Sequence, residues 1–439
     1  MRVVAIQYKQ DIRHVTTYAE FRQTMRCLVE TFVVPLRVPG RPTLAVFNED
    51  IGLMTLGVGT RGAGVRTLAG SPLRAPVGDA QPVGAALALA AANAAYAPQV
   101  AAYQALLGPI DPRKEVLVAA TDTFVRAFSI TFSDIARDYG IYVVAANNQA
   151  TYRETRNPAE VALFADPDVH NPGVAYVATS RRVANTAFLW GPKVLHPPAP
   201  TGERNLIFRN EKVPLTSIEQ TLLALDSGPT TGAAARANVA GVTIAGLHLG
   251  FAVSLPAFTF GYDFGNRPKG LDPCADVSRT YMACMDAMGV DTVIQPEANP
   301  GRWAGNGGAS AWQPLEWMGA GWRNVTDPTV HFRYNVTAFM TGNLLDLPFD
   351  GQSSITMRGG GAPLRHYVGN LEKGAADPAG MFRYRGNKSE FLALAPWVVP
   401  DAPRTNLRAA ATRLAPGSGS PMENDYLETA VYADLRPAR

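Results

Sequence analysis

Glu49, Lys212, Glu219 and Ser254 are the side chains in this sequence whose types and settings point to chemistry. Glu49 follows an apolar run from Thr43 to Asn48, after which the chain turns through Asp50-Ile51-Gly52. Its carboxylate is therefore expected at the end of a strand, facing either solvent or a cleft. Lys212 lies seven residues before Glu219. A helix predicted over Ser217 to Leu225, N-capped by Ser217, would account for a glutamate in its first turn without any catalytic role. Ser254 ends a strand predicted over Gly250 to Leu255. A carboxylate can take a proton, an ammonium can steady a developing oxyanion, and a hydroxyl can attack a carbonyl carbon once a base receives its proton. Taken singly, each of these residues also has an ordinary structural reading.

Other candidates carry less. Cys274 is a rival nucleophile, but the residues ahead of it, Gly265 to Pro273, are loop-like, and it reads as the residue leading into a helix. His248, two residues before Gly250, reads as a hydrogen-bonded structural histidine. Ser254 lacks the flanking glycines of a nucleophile elbow, so a serine-histidine-aspartate hydrolase is unsupported. Gly57-Val58-Gly59-Thr60-Arg61-Gly62 matches a dinucleotide fingerprint by letters, yet no strand leads into it and Gly64, Gly70 and Pro72 follow, so it is expected to be a loop. Trp303, Trp312, Trp317 and Trp322 could line a pocket, although core packing or an oligomer contact is the commoner use of tryptophan.

The elements that must position these residues alternate between strand and helix. Val3 to Gln7 reads as a buried strand and His14 to Phe32 as a helix. Thr43 to Asn48 is a second strand, Ser129 to Tyr139 a helix, and Ile141 to Ala146 another buried strand. Val174 to Thr179 and Ala184 to Leu189 are two short strands separated by a basic turn, Ser180-Arg181-Arg182. Val242 to Leu247 and Gly250 to Leu255 form an antiparallel pair, followed by a helix over Ala275 to Met288 and a strand over Asp291 to Gln295. This order predicts an α/β sheet sandwich with helices outside.

The chain has 439 residues, 47% hydrophobic and 18% charged, enough for a large core. Its net charge of +3 is spread without a basic block, so nucleic acid is not expected as a partner. Residues 1 to 8 read as a strand, not as an export signal. The run from Gly84 to Leu107 is interrupted by Asn93, Pro98, Gln99 and Gln104 and is expected to pack as one or two helices rather than cross a membrane. Three cysteines, Cys27, Cys274 and Cys284, suit neither a disulfide scaffold nor a zinc site, and a cytoplasmic location is expected. No internal repeat or second core stands out, so residues 1–439 are expected to form a single elaborated domain.

Read in order, the motifs acquire a common meaning. Val4-Ala5-Ile6-Gln7, Ala45-Val46-Phe47-Asn48-Glu49-Asp50, Tyr139 to Val144, Asn185 to Pro192, Lys212 with Glu219, Gly250 to Ser254 and Gly289 to Pro296 together resemble the nitrilase superfamily of carbon-nitrogen hydrolases, and Glu428 to Leu435 resembles its last strand. The resemblance runs from residue 3 to about 435, with insertions near 60–120, 192–206 and 256–274.

It implies a four-layer α-β-β-α sandwich in which Glu49 is the general base and Lys212 steadies the tetrahedral intermediate. Glu219 would position Lys212 and water, and the nucleophile would stand at position 254. Glu297, Asn299 and Trp303 are the expected substrate contacts. The implied substrate is a small amide or nitrile, handled without cofactor or metal by a homodimer or higher homo-oligomer. Helices Ser129 to Tyr139 and Ala275 to Met288 could supply the face between subunits by analogy. The sequence departs from the family pattern with Asn48 before the base, Pro256 two residues after the nucleophile, and serine in place of cysteine at 254. A Glu-Lys-Ser hydrolase is therefore expected, the alternative being a catalytically silent binding or assembly protein.

Overall fold

The two faces of the strand Arg2–Gln7 explain how the layers assemble. Val4 and Ile6 point into one apolar core, which also holds helix residues such as Phe21, Met25, Phe132 and Ile135. Val3 and Ala5 point into another, shared with Leu249, Phe251, Ile294 and Val336 of a second sheet. A strand covered on both sides reads as an unbroken apolar run, which is what this segment is. The computed structural model describes residues 1–12, 15–69, 83–262, 266, 268–298, 321–344, 347–349, 352–359, 389–395 and 428–437.

The first sheet has six strands in the order Thr429–Asp434, Arg2–Gln7, Thr43–Val46, Tyr142–Thr155, Ala175–Trp190 and Leu206–Glu211. Its centre is parallel, Arg2–Gln7 with Thr43–Val46 and Thr43–Val46 with Tyr142–Thr155, and its flanks are antiparallel. The second sheet has the order Ser389–Leu394, Ser354–Arg358, Tyr334–Phe339, Thr292–Glu297, Leu247–Phe251 and Val242–Ile244. The helix Val277–Ala287 covers its outer face through Tyr281, Met282 and Met285, which pack with Ala252 and Val293. Helix, sheet, sheet, helix is thus the layer order, an α/β sandwich of four layers.

Several local expectations need correction. The expected basic turn at Ser180-Arg181-Arg182 does not exist: Ala175–Trp190 is one continuous strand, antiparallel to Tyr142–Thr155 across a bulge at Ala150/Tyr152. Exposed polar residues at a bulge mimic a turn in sequence, because both interrupt the apolar pattern. The segment Gly84 to Leu107 forms two helices, Val83–Ala95 and Ala97–Leu107, bent by 78°. Among the described residues no single helix is long and apolar enough to cross a membrane. Phe132 and Ile135 of one helix, and Tyr281 and Met285 of another, pack into the cores.

The cysteines also differ from expectation, because Cys274 and Cys284 are joined in a disulfide and Cys27 is free and exposed. Only 10 residues separate the paired cysteines, a spacing that does not stand out in a sequence with so few of them. A closed loop of that length is worth about 2–3 kcal/mol by chain entropy. Reduction is therefore expected to lower thermal stability. A melt that dithiothreitol leaves unmoved would contradict the pairing.

Candidate active site

The site lies where strands from both sheets end. Glu49 follows the strand Thr43–Val46, Lys212 follows Leu206–Glu211, Ser254 follows Leu247–Phe251 and Ala298 follows Thr292–Glu297. All leave their strands at the carboxyl end, the side on which open α/β sheets build their sites. Glu219 comes from the helix Ser217–Thr221, whose N-cap is Thr216 rather than Ser217. Gly52 lets the loop after Glu49 lie against the neighbouring strand, since a Cβ there would stand 2.3 Å from Asn147 Cγ.

Lys212, 2% exposed, is clamped between two carboxylates. Its Nζ donates to Glu49 Oε1 at 2.7 Å and lies 3.0 Å from Glu219 Oε2. Asn185 bridges the same pair, its Nδ2 donating to Glu49 Oε1 at 2.7 Å and to Glu219 Oε1 at 2.8 Å. The carbonyl of Asn185 accepts from the Lys212 amide at 2.8 Å, which locks the lysine backbone to the strand carrying its co-bridge. Glu219 also accepts from the amide and hydroxyl of Thr216 at 2.7 and 2.8 Å. It is at once the partner in a capping box and a site residue, so the two readings open in the sequence both describe it.

These contacts leave definite capacities. Glu49 Oε1 already holds two donors, whereas Oε2 accepts from the Ala298 amide at 3.1 Å and retains a lone pair for a proton. Lys212 spends two N–H groups on carboxylates and keeps a third. Ser254 adopts φ 60°, ψ −110°, a backbone conformation costly for any residue with a Cβ, and such strain collects where a side chain must be aimed. Glu49, Lys212, Glu219 and Ser254 all line one cavity of about 300 Å³, together with Asp50 and Ala298.

The electrostatics set the protonation states. Burial raises the Glu49 carboxyl, Lys212 opposes this, and Glu219 and Glu297 add to it, leaving it at about 7. A carboxylate at its ordinary pKa of about 4.3 would be too weak a base for a hydroxyl. The enclosed position corrects that, because a base is most useful when its pKa lies near the working pH. Burial also raises Asp50 well above the carboxylate range, with Glu49 and Glu219 contributing. Burial would raise Glu219 too, but Lys212, Asn185 and Thr216 overcome it and hold it low. Lys212 is raised, because its two carboxylates outweigh desolvation.

Two pH dependences follow, with opposite signs. Glu49 binds its proton more tightly folded than unfolded, so its stability contribution is complete below about 4.5 and is lost as pH rises through about 7. Glu219, held below its ordinary value, contributes above about 4.5, and that contribution disappears as pH falls through its lowered pKa. If Glu49 must be ionised to act, kcat/KM is expected to fall about tenfold per unit below pH 7. A profile flat down to pH 5 would exclude Glu49 as the base.

Of the other candidates, some lie apart from the cavity and some lie outside the described residues. Glu297 is buried and accepts from Gln295 Nε2 at 2.8 Å, outside the cavity lining, and it reaches Glu49 through its charge. Asn299 and Trp303, with Trp312 and Trp317, lie outside the described residues, while Trp322 is buried. Cys274 is closed off in its disulfide, and His248 faces the carbonyls of Gly289 and Ala240 at 2.9 and 2.7 Å, away from the cavity. Two contributors went unrecognised in the sequence. Asn185 is a fully buried amide in the mostly apolar half of its strand, Val183 to Trp190, a signal that polar satisfaction would have flagged; Asp50 read merely as a turn residue.

The architecture is a four-layer α-β-β-α sandwich with the cavity at the carboxyl ends of its strands. No known family profile and no curated protein sequence matches the chain. Similar solved structures include the amidase from Nesterenkonia sp. AN1, at 14% identity over 81% of this chain and 85% of that one, TM-score 0.35. A cysteine-to-serine mutant of that amidase, described as from the nitrilase superfamily, matches at 15% identity over 81% and 83%, TM-score 0.36. Likenesses this distant bear on neither substrate nor mechanism.

Proposed function

We propose that this protein hydrolyses carbon-nitrogen bonds of a small non-peptide amide or nitrile through Glu49, Lys212 and Ser254. The observation that carries the reading is a buried lysine held between two glutamates and a serine in a strained conformation, all lining one cavity. The sequence motifs that resemble the nitrilase superfamily support it.

With an amide, Ser254 Oγ attacks the carbonyl carbon while Glu49 takes the hydroxyl proton, and the third N–H of Lys212 receives the oxyanion. Collapse breaks the C–N bond, with the proton passing from Glu49 to the leaving nitrogen. Water then attacks the acyl ester, giving a proton to Glu49, and the C–O bond to Ser254 breaks as that proton returns to the serine. Glu219 and Asn185 hold Lys212 and Glu49 in place throughout.

The second reading, a silent relative that binds a carbonyl compound, is favoured by one observation. Among the described residues the Ser254 hydroxyl makes no hydrogen bond to Glu49 or Lys212, and both oxygens of Glu49 already have partners. Catalytic hydrogen bonds often tighten only when substrate is bound. Mass spectrometry after incubation with amide, nitrile and ester panels separates the two readings. An adduct on Ser254 is expected; no adduct and no turnover across the panels would favour the silent protein.

A further inference from the structure

Apart from the charged and hydroxyl groups, the cavity is lined by an apolar wall. It is built by Val65 of the helix Ala63–Ala69, by Ala85, Ala88 and Leu89 of the helix Val83–Ala95, and by Leu222 and Leu223 beyond the helix Ser217–Thr221. Ala88 is 2% exposed and part of the main core cluster, so this wall is anchored rather than lying loosely over the site. At the charged end, Lys212 is the sole basic side chain among the described lining residues, and two carboxylates already hold it. Glu49, Asp50 and Glu219 supply acidic groups there, and among the described lining residues no cation is spare for a carboxylate on the substrate.

From this wall we infer that the cavity selects primary amides whose acyl chain is apolar and uncharged at its far end, larger than acetyl. The inference rests on the amidase reading of the same site. In a primary amide the leaving group is ammonia, so the acyl part must occupy the rest of the cavity, and its described lining is mostly hydrocarbon. Each methylene moved from water onto such a wall is worth about fourfold in binding. A terminal carboxylate would forfeit that gain and meet acidic neighbours with no partner.

The test compares kcat/KM for acetamide, butanamide, hexanamide and phenylacetamide, and for adipamate, the carboxylate-tipped counterpart of hexanamide. A rise of about fourfold per methylene is expected from acetamide to hexanamide, with adipamate at least about thirtyfold below hexanamide. Ala88→Leu should lower the ratio of hexanamide to acetamide turnover, and Leu89→Ala should raise it. A flat or falling series, equal use of adipamate, or a ratio unmoved by both variants would overturn the inference while leaving the amidase reading intact. Calorimetric binding of acetamide and hexanamide separates the two claims. Tighter binding of hexanamide without turnover would uphold the wall and sink the amidase; no binding and no turnover would sink both.

Discussion

Ser254→Ala is expected to lower amide turnover by about 10³-fold or more and to abolish the covalent adduct, with the fold unchanged. The residue is 5% exposed, and its hydroxyl makes no hydrogen bond to Glu49 or Lys212, so its loss costs the structure little and the chemistry its nucleophile. Ser254→Cys provides the complementary test. A thiol ionises near 8.5 when unperturbed, and the cation of Lys212 in the same cavity should bring it lower, so thiolate is populated at neutral pH. The variant should gain amide or nitrile hydrolysis, or at least rapid alkylation by iodoacetamide. Activity gained in this way should vanish again with Glu49→Gln. A folded Ser254→Cys protein with an inert thiol and no turnover would show that the departures around the serine, Pro256 among them, have dismantled the site.

The second large effect is on stability as well as on rate. Lys212→Met leaves Glu49 and Glu219 buried without their cation, and breaking a buried ion pair on one side costs about 3–5 kcal/mol. Its pH dependence gives the loss a signature. The deficit should be greatest above pH 7, where both carboxylates are ionised, and should shrink as acid protonates first Glu49 and then Glu219. Denaturation curves at pH 8 and pH 5 measure it. An equal deficit at both would mean that the lysine acts through packing and not through charge.

How much of this was legible in the sequence depended on the range of the interaction. Strands buried on both faces, such as Arg2–Gln7 and Thr43–Val46, announce themselves as apolar runs, and their order led to a layered sandwich. Glu49 and Lys212 were recognisable at the ends of motifs. The protonation of Glu49 was not, because it arises from burial and from Lys212 and Glu219, more than 160 residues away. The continuity of Ala175–Trp190 is hidden because short-range polar pattern looks alike whether the chain turns or bulges, and the Cys274–Cys284 bond because its spacing does not stand out among so few cysteines.

The central claim is that Ser254 attacks and Lys212 receives the oxyanion. A crystal structure of the protein after reaction with a phosphonate ester tests it most directly, since the phosphonyl group mimics the tetrahedral intermediate. Phosphorus is expected on Ser254 Oγ with a phosphonyl oxygen about 3 Å from Lys212 Nζ, and Lys212 should still donate to Glu49 Oε1. Phosphorus found on any other residue, or a Ser254 adduct whose oxygens all turn away from Lys212, would contradict it.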